Sequence, residues 1–289
     1  MVEALLPLIR RDTTPPGAHS TAFLDSKVES VRAAAKAATQ RYKDGKPLSM
    51  LDGVPVSIKD EVDLADYKRT LGSKVDFTNP LDQTAWCVGK WEEAGAVICG
   101  KTNMHECGLD TTNNNPTTGT PLNPHVPDYY TGGSSGGSAY SVAAGICPIS
   151  LGVDGGGSIR LPASFCGIYG LKTSHGRVSA RPTSNLGFSV GVCGPLACSI
   201  DDLALAYRIM AQPDPDNRAS SMFPNSLSEC SNGSGSSKVL GVCDAWIDRS
   251  DAEVKKMFNE AVQFYQKIGY EIVHIDIPLL PEGQKVSVC

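Results

Sequence analysis

The chain has 289 residues, of which 41% are apolar and 20% charged, with a formal net charge of −5. This is the composition of an ordinary globular protein able to bury a substantial core. It advertises no basic face for nucleic acid or anionic lipid.

The first residues, Met1–Asp12, place an acidic side chain ahead of a short apolar run broken by Pro7, the reverse of an export signal. A cytoplasmic location is expected, and the ten cysteines are read as reduced thiols. None lies in C-x-x-C spacing, so no zinc site is expected. In such a compartment the Asn232-Gly233-Ser234 sequon has no consequence. Ser26-x-x-Glu29 spells a capping box, followed at helical spacing by Val28, Val31, Ala35, Ala38 and Tyr42, with Gly45 and Pro47 as the stop. Val54–Lys59 reads as a short buried strand that delivers Lys59 at its end. A helix is predicted over Asp82–Glu93, closed by Gly95, and then a strand over Ala96–Cys99. Residues 110–131 read as an irregular loop rich in Thr, Asn, Pro and Gly. Ala139–Ala144 is predicted helical. It is the longest apolar stretch, Val142–Val153, that comes nearest to a membrane span, and Gly145, Pro148 and Gly152 interrupt it. Ser199 and Asp202 cap a further helix, and 213–237 reads as a mobile surface loop. A strand (Val239–Cys243), a helix (Asp251–Ile268, with Val254, Phe258, Val262 and Tyr265 on one face) and a strand (Glu271–Ile277) then form a βαβ unit over 238–280. Alternating strands and helices imply an α/β layered sheet.

Two Gly/Ser clusters stand out, Gly132–Ser138 and Gly155–Arg160, separated by one helix-and-turn unit. Glycine runs let a ligand approach backbone N–H groups, and serine is the one side chain there that can be made nucleophilic. The pair points to acyl-group chemistry. Competing spellings fit less well. Gly95–Thr102 matches the phosphate-loop pattern, but a helix precedes it and a strand-forming run replaces the phosphate-wrapping turn. Gly133-x-Ser135-x-Gly137 matches a nucleophile elbow, with His175 and His274 as available bases, yet no hydrophobic strand leads into it. The first cluster could be a flexible linker and Ser158 a simple helix cap.

Lys59-Asp60, the first Gly/Ser cluster and Gly152-Val-Asp154-Gly-Gly-Gly-Ser158-Ile-Arg160-Leu-Pro162 together resemble the amidase signature family. Gly100-Lys-Thr-Asn103-Met104-x-Glu106, Cys166-Gly-x-x-Gly170-Leu-Lys172 and Gly194-Pro195-Leu-Ala-x-Ser199-x-x-Asp202 extend the resemblance over nearly the whole chain, in order. Lys172-Thr173-Ser174 departs from the family's usual Lys-Pro-Thr. The resemblance implies an α/β fold, layered α/β/α with a central mixed β-sheet. The chain is read as one domain over 1–289 with a signature core at 52–212, incomplete because family members run considerably longer.

The resemblance also implies a site. Ser158 would be the nucleophile, Ser134 the bridging serine behind a cis Gly133–Ser134 bond, and Lys59 the base. The N–H groups of Gly155, Gly156, Gly157 and Ser158 would form an oxyanion hole, Ser135 would support Ser134, and Asp154 and Arg160 would brace the loop. No metal or organic cofactor is expected, and the partner is a small-molecule amide, with no nucleic acid and no membrane span. The expected activity is hydrolysis of a carboxylic acid amide. The alternatives are an amidotransferase subunit that releases ammonia from glutamine, or an inactive fragment.

Overall fold

A computed structural model describes residues 1–228, 238–280 and 282–283. They form two compact units, divided between Ser228 and Glu229. Chain order in the first unit is α1 (Val2–Ile9), β1 (Phe23–Asp25), α2 (Val28–Lys43), β2 (Pro55–Lys59), α3 (Trp86–Glu93), β3 (Val97–Thr102), α4 (Gly136–Ala143), β4 (Ile149–Asp154), α5 (Arg160–Phe165), β5 (Tyr169–Gly170), β6 (Val192–Ala197), α6 (Ile200–Met210) and α7 (Arg218–Ser221).

The six strands make one sheet in the order β1-β3-β2-β4-β6-β5. Its centre is parallel, β2 pairing with both β3 and β4, and its flanks are antiparallel. The mixed sheet of the α/β reading is therefore present. Strands β2 and β4 are buried along their whole length, as central strands covered on both faces must be. Period-two alternation sorts their side chains. Val56, Ile58, Ile149, Leu151 and Val153 join a core with Trp91 of α3 and Leu203, Ile209 and Met210 of α6. Ser57 and Ser150 face the other way, where Ser57 Oγ donates to Ser150 Oγ at 2.8 Å and lies 3.1 Å from Ser141 Oγ of α4. Ser138 of α4 shares a 2.7 Å hydroxyl pair with Thr102 and donates to the Leu151 carbonyl. Helix α4 thus docks on the sheet through hydroxyls. It can lie that close because Gly137 has no side chain: a Cβ there would sit 2.5 Å from the Asn103 carbonyl oxygen and 2.6 Å from that of Ala22.

Several local expectations are corrected. Ser26 does not cap α2; its hydroxyl donates to the Cys99 carbonyl, and Glu29 pairs with Arg32 instead. The helix expected from Asp82 begins at Trp86, because Asn79–Asp82 is a turn in which Asp82 takes a positive φ of 45°. The strand expected to end at Cys99 runs on to Thr102, so the Gly-Lys-Thr run is strand, not a phosphate loop. Residues 213–228 are not a bare surface loop. They carry α7, capped by Asn217, and a buried Asp214 that accepts from Ser179 Oγ at 2.7 Å. The rest of that expected loop, 229–237 with the Asn232 sequon, lies outside the described residues.

In the second unit, β7 (Val239–Val242) and β8 (Glu271–His274) pair in parallel, with α8 (Asp244–Ile247) and α9 (Ala252–Lys267) between them. The βαβ order is as expected, shorter at each end and with the extra turn of α8. The expected apolar face of α9 is not covered: Phe258 and Val262 are half-buried, while Val254 and Tyr265 are exposed. Two short strands offer too little sheet to bury it.

Candidate active site

Lys59 is the last residue of β2 and shares the serine-bearing face with Ser57, so its side chain runs under α4, fully buried. Its ammonium nitrogen donates to Ser134 Oγ at 2.7 Å and to the Val153 carbonyl at 3.2 Å. It also lies 2.9 Å from Glu61 Oε2. The Gly133–Ser134 peptide bond is cis. Ser134 sits just before α4, and its carbonyl accepts from the His105 N–H at 3.1 Å.

Ser158 follows β4 in the second Gly/Ser cluster. The Ser135 N–H donates to the Ser158 carbonyl at 3.1 Å, which ties the two clusters together. The Ser158 hydroxyl is half-exposed and bonds no described residue, and it does not cap α5, whose cap position is Ile159. Ser135 is fully buried, its hydroxyl donating to the Val153 carbonyl at 3.2 Å. In that position it cannot serve as an elbow nucleophile. His175 is spent on the Phe188 carbonyl.

Asp154 organises the second cluster. Fully buried, it accepts from the N–H of Gly157 at 2.8 Å, of Ile159 at 3.1 Å and of Arg160 at 3.3 Å. The Arg160 guanidinium grips it with two bonds of 3.0 Å. Burial pushes the carboxyl up, but Arg160 and the Ile159 and Gly157 N–H groups outweigh it and hold Asp154 below its ordinary value. This use of Gly157 corrects one expectation. Its N–H is engaged by Asp154, so the donors left without a partner among the described residues are those of Gly155, Gly156 and Ser158. Gly157 contributes its conformation instead: at φ 136° it bends the chain where a Cβ would also strike Leu161 at 2.8 Å.

Sequence reasoning missed Glu61. Asp60, Glu61 and Asp63 are all buried. Asp60 ties the Thr70–Gly72 turn to the end of β2 and pairs with buried Lys101 at 3.4 Å. The available signal was the spacing: Glu61 stands two residues past a buried strand lysine, on the same side. A cavity of about 570 Å³ opens beside Glu61, Val153 and Cys193, bounded by Val178, Arg181 and Phe188. The larger cavity, of about 1070 Å³, lies between α1 and α2, away from Lys59. Among the described residues no group of His, Cys, Asp and Glu is placed to hold a metal ion.

This is a layered mixed-sheet fold with a lysine, two serines and a glycine-rich turn gathered at the ends of its central parallel strands. The chain belongs to the amidase signature family: the Amidase family model matches residues 17–288. It is 38% identical over 268 residues to a fatty acid amide hydrolase of Medicago truncatula, covering 90% of this chain and 44% of that protein. It is 39% identical over 283 residues to a glutamyl-tRNA(Gln) amidotransferase subunit of Anaeromyxobacter sp. (strain K), covering 96% and 56%. Among solved structures, a bacterial aryl acylamidase of the amidase signature enzymes superposes with a TM-score of 0.78 at 26% identity, covering 96% of this chain and 58% of that one. The chain spans about half the length of these relatives. No helix among the described residues is long and apolar enough to cross a membrane.

Proposed function

We propose that this chain carries the catalytic core of an amide hydrolase, with Ser158 as nucleophile, Ser134 as proton relay and Lys59 as base. The observation that carries the reading is the buried 2.7 Å contact between Lys59 Nζ and Ser134 Oγ, beside a glycine-rich turn bearing free N–H groups. An amide is a poor electrophile with a poor leaving group, so a serine attacking it needs an adjacent base. Neutral Lys59 takes the Ser134 proton as Ser134 takes that of Ser158, and the Ser158 oxygen adds to the carbonyl. The Gly155, Gly156 and Ser158 N–H groups receive the oxyanion; each such donor is worth about 3–4 kcal/mol in the transition state. The Lys59 ammonium then returns its proton through Ser134 to the leaving nitrogen, the C–N bond breaks, and water releases the acid by the same relay in reverse. Ser135, Asp154 and Arg160 hold the two clusters in register. The chemistry asks for no metal or organic cofactor.

A fluorophosphonate probe tests this directly. The probe is expected to label Ser158, and Ser158→Ala is expected to abolish labelling without changing the fold. Persistent labelling would place the nucleophile elsewhere. The similarity to amidotransferase subunits supports a second reading, in which the amide is glutamine and the ammonia goes to an acceptor held by partner subunits. Glutaminase activity that appears only with such partners would favour it over free amide hydrolysis.

A further inference from the structure

The relay does not use Glu61, yet among the described residues no charged group lies closer to its base. Nζ of Lys59 is fully enclosed and meets three acceptors: Ser134 Oγ at 2.7 Å, Glu61 Oε2 at 2.9 Å and the Val153 carbonyl at 3.2 Å. An ammonium has three donors and a free amine has two donors and one lone pair. Two of the three directions on the nitrogen are therefore occupied by acceptors that can never give a proton to it, the carbonyl and the carboxylate. The third points to Ser134. It carries a proton in the ammonium and the lone pair in the amine.

From this geometry we infer that Glu61 is a positioning residue of the amidase reaction, which aims the Lys59 lone pair at Ser134. The inference rests on the proposed serine relay. The other ionisable groups around Glu61 are few. Arg69 donates through Nε to the Glu61 main-chain carbonyl at 2.9 Å. Asp60, next in the chain, turns away to Lys101 and Thr70. His175, Arg181 and Cys193 share its cavity, with Cys87 behind Cys193.

The test is the rate of fluorophosphonate labelling in the wild-type chain, Glu61→Gln and Glu61→Ala, with thermal unfolding as the folding control. Glu61→Gln keeps an acceptor and is expected to label within about tenfold of the wild-type rate, because the amine keeps its aim. Glu61→Ala removes the acceptor, and its rate is expected to fall on the order of a hundredfold through loss of aim, with the unfolding temperature retained. A wild-type chain that never labels overturns the serine relay, and this inference with it. A labelled wild type whose rate is matched by folded Glu61→Ala, or a folded Glu61→Gln as slow as Glu61→Ala, overturns the role of Glu61 alone.

Discussion

Asp154 concentrates more of the site's geometry than any other single side chain. Three backbone N–H groups and one guanidinium converge on it, and the turn they define leaves the Gly155, Gly156 and Ser158 N–H groups free. Asp154→Asn keeps the size but turns one of the two accepting oxygens into an NH2 group, which cannot accept, so the two or three bonds at that position are lost and the rest lose their charge. The amides of residues 157–160 are expected to exchange hydrogen faster in this variant, and probe labelling to slow by about tenfold or more as the oxyanion donors lose their aim. Gly157→Ala tests the same turn from the backbone side. With φ at 136° and Leu161 in the way, it is expected to cost about 1–3 kcal/mol of stability. Thermal unfolding measures that loss. At this scale the sequence was informative where chemistry restricts residue type: Lys59 and Ser134, singled out by their motifs, lie 2.7 Å apart. The partition of donors was not legible, because whether Gly157 serves a substrate or Asp154 depends on where one carboxylate folds back. Glu61 was hidden for a similar reason. A charged residue in a charged run reads as solvated until the chain buries it.

The element that holds the site together is α4, and its hold depends on what it lacks. Backbone atoms of Asn103 and Ala22 occupy the space that any Cβ at Gly137 would need. Gly137→Ala is therefore expected to push α4 off the sheet, destabilise the fold by about 1–3 kcal/mol and slow probe labelling together, with unfolding and labelling measured on the same sample. Strands β2, β3, β7 and β8 were readable as short apolar or alternating runs, since burial on a pleated surface leaves a period in the sequence, whereas β4 lies in the stretch between the two Gly/Ser clusters that was read as one helix-and-turn unit. Helix starts were less so. Ser199 caps α6 as expected, its hydroxyl accepting from the Asp202 N–H at 3.1 Å. Ser26, in an equally good spelling, answers to the Cys99 carbonyl of a neighbouring strand. A cap is a local preference of about 1 kcal/mol, and tertiary contacts of similar strength override it.

For the molecule as a whole, acid sensitivity follows from its buried carboxylates. The Arg41 guanidinium holds Asp52 below its ordinary value, and the Arg160 guanidinium helps hold Asp154 there against burial. A carboxyl whose folded-state value is depressed adds stability above its unfolded value and loses it as pH falls through the folded one. Tm is expected to hold from neutrality down to about pH 5 and to fall below about pH 4. Asp52→Asn, with Arg41 left unpaired, is expected to flatten that fall. Thiol reactivity gives a second global readout. Cys198 is exposed, whereas Cys87, Cys99, Cys147, Cys166 and Cys193 are buried, and burial pushes the Cys166 thiol up to about 12. A thiol reagent at neutral pH is expected to modify Cys198 at once and the buried five only on unfolding.

The Val153 carbonyl accepts from both Lys59 and Ser135, while the Val153 side chain is embedded in the core on the opposite face of the sheet. Chemistry and packing therefore meet in one residue of β4. A slip of that strand by a single position against β2 would put Asp154 on the apolar core face and Val153 on the face under α4, and strip the amine of its carbonyl. Partly correct sheets have no intermediate grade of competence under this arrangement. Titrating the proposed nucleophile would count correctly threaded molecules, and so turn a labelling assay into a census of folding.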